Sequence, residues 1–157
     1  MTILTRFRWF LWFFGRIQIR MIGYLRPKLL ELTDEKILIR IPLNRRSKNH
    51  LGSMYFGALS VGADLAGGFH GFYHADKAGV KLSLVFKSFN AQFIKRPEED
   101  VFFESVMGNE VADMIKKAQE SGERQNKIIK ITAYTGYPEH SEVVANFELE
   151  LSLKVIR

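Results

Sequence analysis

Apolar residues recur with two different periods along this chain, and the switches between them mark its elements. From about Thr5 to Leu30, Phe10, Phe13, Phe14, Ile17 and Met21 return near helical spacing and Pro27 interrupts them, which predicts a helix followed by a break. Between Lys36 and Leu43 the period becomes two. Ile37, Ile39, Ile41 and Leu43 share one face of a strand, with Pro42 marking an edge or an end. From Gly52 to about Tyr73 the helical period returns through Met54, Ala58, Val61, Leu65, Phe69 and Phe72, the stripe of a buried helix whose end Gly67, Gly68 and Gly71 should loosen.

A turn at Ala78 and Gly79 opens a region dominated by strands. Val80, Leu82, Leu84 and Phe86 alternate with polar residues, and after a break at Pro97 comes a second strand, Val101 to Met107. The stretch "NEVADMIKKAQESGE" predicts a short helix capped by Asn109, with Val111, Met114, Ile115 and Ala118 on one face and an end near Gly122. Strands are predicted again over Lys127 to Tyr134 and Glu142 to Ile156, the last long enough that it must bend. No internal repeat is visible. The order implies an α+β fold in which one antiparallel sheet covers one central helix, preceded by an amphipathic helical extension over residues 1–30 and forming one domain over 31–157.

Length agrees with this, because 157 residues suit one domain able to bury most of its apolar surface without disulfides or metals. Thirteen phenylalanines imply a generous interior or an apolar pocket. The absence of cysteine removes thiol catalysis and thiolate metal sites, and it fits a reducing compartment, so cytoplasm is the expected location. The formal net charge of +6 favours phosphate-bearing partners. Nucleic acid is not the expected one, since the aromatics fall on buried faces rather than alternating with basic residues. In "TRFRWFLWFFGRIQIR" the apolar run from Trp9 to Phe14 is too short for a signal sequence or a membrane span. Arg6, Arg8, Arg16 and Arg20 surround it. Two readings stand, packing on the domain or a partner subunit, and peripheral contact with an anionic membrane.

The segment "NHLGSMYFGALSVGAD", Asn49 to Asp64, carries the candidate chemistry. Glycine inside a helix costs about 1 kcal/mol relative to alanine, so Gly57 and Gly62 need a reason. Part of it is architectural: small residues thin the helix where other backbone passes close. Helical geometry also sets Asp64 above Ser60 and Gly57 and below Gly67 and Gly68, on a face with little bulk, where something can approach the carboxylate. A general base or nucleophile is one reading of Asp64, and a solvated or arginine-paired aspartate is the other.

Asn49, Gly52, Gly57 and Asp64 match in spacing the motif of hotdog-fold thioesterases of the phenylacetate-pathway type, N-x-x-G-x-x-H-G-G followed seven residues later by an acid. The segment order also resembles a hotdog domain, and the chain is most similar to a divergent thioesterase-like branch of that superfamily. The resemblance implies hydrolysis of an acyl-CoA thioester in a site shared between two subunits of a homodimer or tetramer. It implies Asp64 as activator of water or nucleophile, the Gly57 amide as receiver of the thioester oxygen, and Asn49 as positioner of the water or the loop. Coenzyme A is then part of the substrate, and no separate cofactor is expected. The chain departs from the motif at Tyr55 and Phe56, which replace the histidine and first glycine. These rings are expected in a dimer core or an acyl pocket with Gly52 and Ser60, and a non-catalytic acyl-CoA binding protein is the alternative function.

Arg45, Arg46 and Lys48 lie immediately before the motif, and Lys95 and Arg96 form a second basic pair, all suited to the phosphates of coenzyme A. His70 and His74 have the only metal-like spacing, but no third ligand is evident and no metal is expected.

Overall fold

Strands and helices alternate in short blocks along the chain, and in space one long helix meets one curled sheet. The computed structural model describes residues 1–139 and 142–156. Helix α1 (Ile3–Phe13) runs through a π-helical turn (Phe14–Gln18) into the short α2 (Arg20–Leu25). Strands β1 (Lys28–Leu32) and β2 (Ile37–Ile41) precede the central helix α3 (Phe56–Ala78). After it come β3 (Lys81–Phe93), β4 (Val101–Ser105), helix α4 (Gly108–Ser121), β5 (Gln125–Thr135) and β6 (Glu142–Ile156). All six strands join one antiparallel sheet in the order β1-β2-β4-β5-β6-β3.

The sheet's concave face closes on α3. Phe69, Ala63 and Ala66 of the helix are buried with Ile39, Phe103, Ile131, Phe147 and Leu149 of the strands in one core. Curvature comes from breaks in register, between Phe86 and Ser88 where β3 meets β6 and between Ala133 and Tyr134 where β5 meets β6. The bend expected of the long last strand is taken up there. Helix α1 joins the same core: Phe7 packs edge-on against Phe69 and Tyr73, while Phe10 and Phe14 meet Phe72.

Five details differ from the sequence expectations. The N-terminal helix does not continue to Leu30, since Pro27 is followed by β1, whose short apolar run "KLLEL" is held by pairing with β2. Helix α3 continues through Gly67, Gly68 and Gly71 to Ala78, because those glycines are packed rather than free. The groups that press on them are side chains, Ile131 and Leu149 beside Gly67, Phe86 beside Gly68 and Leu84 beside Gly71, and not passing backbone. Strand β3 runs on to Phe93, and α4 starts at Gly108 without a side-chain cap from Asn109.

Gly62 shows the tightest of these fits. A Cβ there would overlap the ring of Phe103, which is fully buried and cannot swing outward. Gly62→Ala is therefore expected to lower the unfolding midpoint, overpacking of about 1–3 kcal/mol outweighing the roughly 1 kcal/mol gained in helix propensity. Chemical denaturation checks this, and a raised midpoint would show that the ring relocates freely.

Candidate functional site

The start of α3 is knitted into a loop by backbone and side chain together. Asn49 Oδ1 accepts from the amides of Leu51 (2.9 Å) and Ser53 (3.2 Å), and its Nδ2 donates to Ser53 Oγ at 3.0 Å. Gly52 closes this turn at φ +80°, a conformation that disfavours any side chain. The Asn49 side chain is thus spent on shaping the loop. The Met54 amide donates to Pro97 O at 2.9 Å and that of Tyr55 to Ser47 O at 2.7 Å, which aims the chain into the helix.

No side chain caps α3, so the amides of Phe56 and Gly57 have no acceptor among the described residues. They carry the partial positive charge of a 23-residue helix. Ser60 turns its hydroxyl back to donate to Phe56 O at 2.9 Å. The Tyr55 and Phe56 rings touch, with centroids 4.8 Å apart, and Phe56 meets Phe93 of β3 edge-on. A cavity of about 500 Å³ opens here, lined by Asn49, Tyr55, Phe56, Phe93, Lys95 and Arg96. Within one protomer Tyr55 and Phe56 are 49% and 58% exposed, which leaves their apolar surface for something else to cover.

Asp64 lies on the same face of α3 as Gly57 but two turns further, about 10 Å along the axis at 1.5 Å per residue. It is half-buried in a separate cavity of about 150 Å³ with Phe72, Leu84 and Phe86, under a roof of Phe14 and Ile19 from the N-terminal turn. The trough of small residues expected on this face is thus overhung by rings from other elements. The carboxylate has no ion pair or hydrogen bond among the described residues, and burial pushes its pKa up from the ordinary value. The arginine-paired reading of Asp64 does not describe this structure.

The basic residues divide. Arg46 stacks over Tyr24 at 5.3 Å and turns toward the N-terminal helices, away from the Tyr55 cavity. Arg45 and Lys48 are exposed on the same loop. Lys95 and Arg96 line the cavity, Lys95 Nζ being 2.6 Å from Glu142 Oε1. Phe93 and His50, also in its wall, were not singled out from the sequence. Phe93 was hidden because the alternation in β3 breaks at the irregularity after Phe86.

His70 and His74 hold a loop. Their Nε2 atoms lie 3.1 Å from Thr33 O and 3.0 Å from Asp34 O, and among the described residues no group of three or more His, Asp or Glu is placed to hold a metal.

An antiparallel sheet curled round one long helix, with that helix's bare N-terminus at the surface, defines a hotdog fold. Solved structures agree. A protein of unknown function from Pseudomonas aeruginosa named "Probable Thioesterase" superposes with a TM-score of 0.79 at 20% identity, over 99% of each chain. A thioesterase from Haemophilus influenzae gives 0.70 at 13% identity over 99% of this chain and 92% of its own, and zebra fish thioesterase superfamily member 2 gives 0.62 at 10% identity over both full chains. No family model and no curated protein sequence matches the chain. At these identities the likeness establishes the fold, and the structural neighbours are thioesterase-superfamily proteins.

Proposed function

We propose that this protein is an acyl-CoA thioesterase whose site is completed by a second copy of the chain. The observation that carries the reading is the pair formed by an unpartnered, half-buried Asp64 and the unpartnered Gly57 amide on one helix face. A reacting thioester must meet the amide directly and Asp64 directly or through one water, and about 10 Å of helix keeps the two groups too far apart for that within one protomer. An antiparallel second α3 related by a twofold axis would set each Asp64 opposite the other copy's Gly57. Strand β3 supplies the means: it is a sheet edge of 13 residues, paired on one side only among the described residues, with Val85, Phe89 and Phe93 each about half exposed. Its edge is continuous with the exposed Tyr55 and Phe56 through the Phe56–Phe93 contact.

In this arrangement Asp64 takes a proton from water, whose oxygen attacks the thioester carbon. The carbonyl oxygen becomes an oxyanion and accepts a hydrogen bond from the Gly57 amide of the other copy. Collapse breaks the carbon–sulfur bond, and the thiolate of coenzyme A leaves with the proton from Asp64. The raised pKa of Asp64 makes it a stronger base than an exposed aspartate. Direct attack by Asp64 gives a mixed anhydride instead, and when water cleaves that anhydride at the aspartyl carbonyl, a single turnover in ¹⁸O-water labels the Asp64 carboxylate, which the general-base route never does. Lys95 and Arg96 stand where phosphates of coenzyme A can be met.

One observation favours a second reading, a non-catalytic acyl-CoA binding protein. The Tyr55 ring lies so close over Gly57 that a Cβ would overlap it, which crowds the amide that an oxyanion needs. Release of thiol from short, long and aromatic acyl-CoA substrates decides between them, and the assay is clean because the chain contains no cysteine of its own. Turnover above background is expected. Measurable acyl-CoA binding with no turnover on any substrate would replace the enzyme reading with the binding one.

A further inference from the structure

The first thirty residues hold Arg6, Arg8, Arg16, Arg20, Arg26 and Lys28 and no acid. Those six account for the whole formal net charge of +6, because the other seventeen of the 23 Lys and Arg balance 17 Asp and Glu. The charge of this protein therefore belongs to its N-terminal unit, from α1 to the first residue of β1. Only Arg6 among the six meets a carboxylate, that of Asp76, within the described residues.

Packing then sorts the apolar residues of the unit. Phe7, Leu11, Ile22 and Leu25 are buried in the core, whereas Trp9, Trp12, Phe13, Ile17, Met21 and Tyr24 are each 50–66% exposed. Trp9 and Trp12 meet edge-on and Arg16 lies 5.9 Å over the Trp12 ring, so aromatic surface and cation are in contact. Beside them a cavity of about 710 Å³ has Arg8, Arg16, Arg26, Lys28 and Arg46 around a floor that includes Leu11, Trp12 and Leu29, with no carboxylate in its lining among the described residues. Cations gathered without acids repel one another unless an anion joins them, and an apolar floor under a cationic rim matches an amphiphile with an anionic head.

We infer that this face docks on an anionic lipid bilayer, the tryptophans entering the interface and the cavity rim receiving lipid phosphates. The unit lies on the surface and does not cross: α1 has 11 residues and α2 has six, and among the described residues no helix is long and apolar enough to span a membrane. A second copy is the poorer occupant. An isologous contact sets each patch against itself, and here it would bring arginine onto arginine. The docking is independent of the thioesterase reading and needs no turnover to observe.

The chain's two tryptophans, Trp9 and Trp12, are both on this face, so selectively excited tryptophan fluorescence reports on it alone. The full chain is titrated with vesicles of phosphatidylglycerol mixed with phosphatidylcholine, and with vesicles of phosphatidylcholine alone. Expected are a blue shift and co-flotation with the anionic vesicles, at least tenfold weaker binding to the neutral ones, and loss of binding at 0.5 M salt. Arg16→Glu with Arg20→Glu, both at exposed positions, should weaken binding at least tenfold while the circular dichroism spectrum stays unchanged. Absence of a blue shift and of co-flotation overturns the inference, as does equal binding to both vesicles. A blue shift that grows with protein concentration without lipid overturns it in favour of self-association.

Discussion

Dimers built only from Asp64→Asn subunits, and dimers built only from Gly57→Pro subunits, are each expected to lose thioester hydrolysis, and dimers containing one of each are expected to regain it. Asn keeps the shape of Asp64 and removes its capacity to take a proton, which costs on the order of 10²–10⁴ in turnover. Proline at position 57 removes the amide hydrogen. That amide closes no helical hydrogen bond, the half-exposed Tyr55 ring must swing outward to admit the new Cβ, and losing one oxyanion donor costs about 10²–10³. If Asp64 works with the Gly57 of the other copy, a mixed dimer has one site with both defects and one with neither. About half the wild-type turnover per dimer should return, each copy of an isologous pair contributing equally. If both groups served one protomer, every site in the mixed dimer would carry one defect and turnover would stay lost. Purification through two different tags, with size-exclusion chromatography and circular dichroism on each species, separates this outcome from misfolding.

Much of this arrangement can be read in the residues alone, and the failures have physical causes. The period-two and helical stretches placed the central helix and five of the six strands because the apolar residues of each recur with the period of its own backbone. Strand β1 escaped because five residues following an arginine-rich helix show too little alternation, and only pairing with β2 makes them a strand. The glycines of α3 were legible as demands for space. What fills the space was not, since Phe103, Phe86 and Leu84 come from strands remote in sequence. At the candidate site, the helix period put Gly57, Ser60 and Asp64 on one face, and it holds them there. The roof of Phe14 and Ile19 over Asp64 lay outside any single-element reading, because it depends on how the N-terminal unit folds back. The basic residues show the same limit. Arg46 and Arg96 look equivalent as charges near the motif, and tertiary packing alone sends one toward Tyr24 and the other into the cavity wall.

The histidine pair, read from its spacing as a weak metal signal, leads to the largest expected effect on stability: the melting temperature should fall steeply between pH 7 and pH 5. His70 is 1% exposed and held near Thr33 O, and burial lowers its pKa from 6.5 to about 4 despite that carbonyl. The folded state therefore resists a proton that the unfolded chain accepts, so stability is complete above pH 6.5 and declines as pH falls toward 4. A shift of this size is worth on the order of 3 kcal/mol in full and roughly 2 kcal/mol by pH 5, or about 4–8 °C in a chain of this length. His74, also lowered by burial, adds in the same direction. Asp34, Tyr73 and Lys77 surround the pair, with Asp34 Oδ1 accepting from Tyr73 and Lys77 at 2.6 Å each, and the Asp34 charge pulls both histidines partway back. Asp64 opposes the trend, since its raised pKa favours protonation in the folded state. His70→Gln isolates the term. Glutamine keeps a donor for Thr33 O but does not titrate, so its unfolding midpoint should start lower at pH 7.5 and change less by pH 5 than that of the natural protein. Parallel midpoint-against-pH curves for the two proteins would remove His70 as the source of the acid sensitivity and leave its hydrogen bond to the β1–β2 loop as its whole contribution.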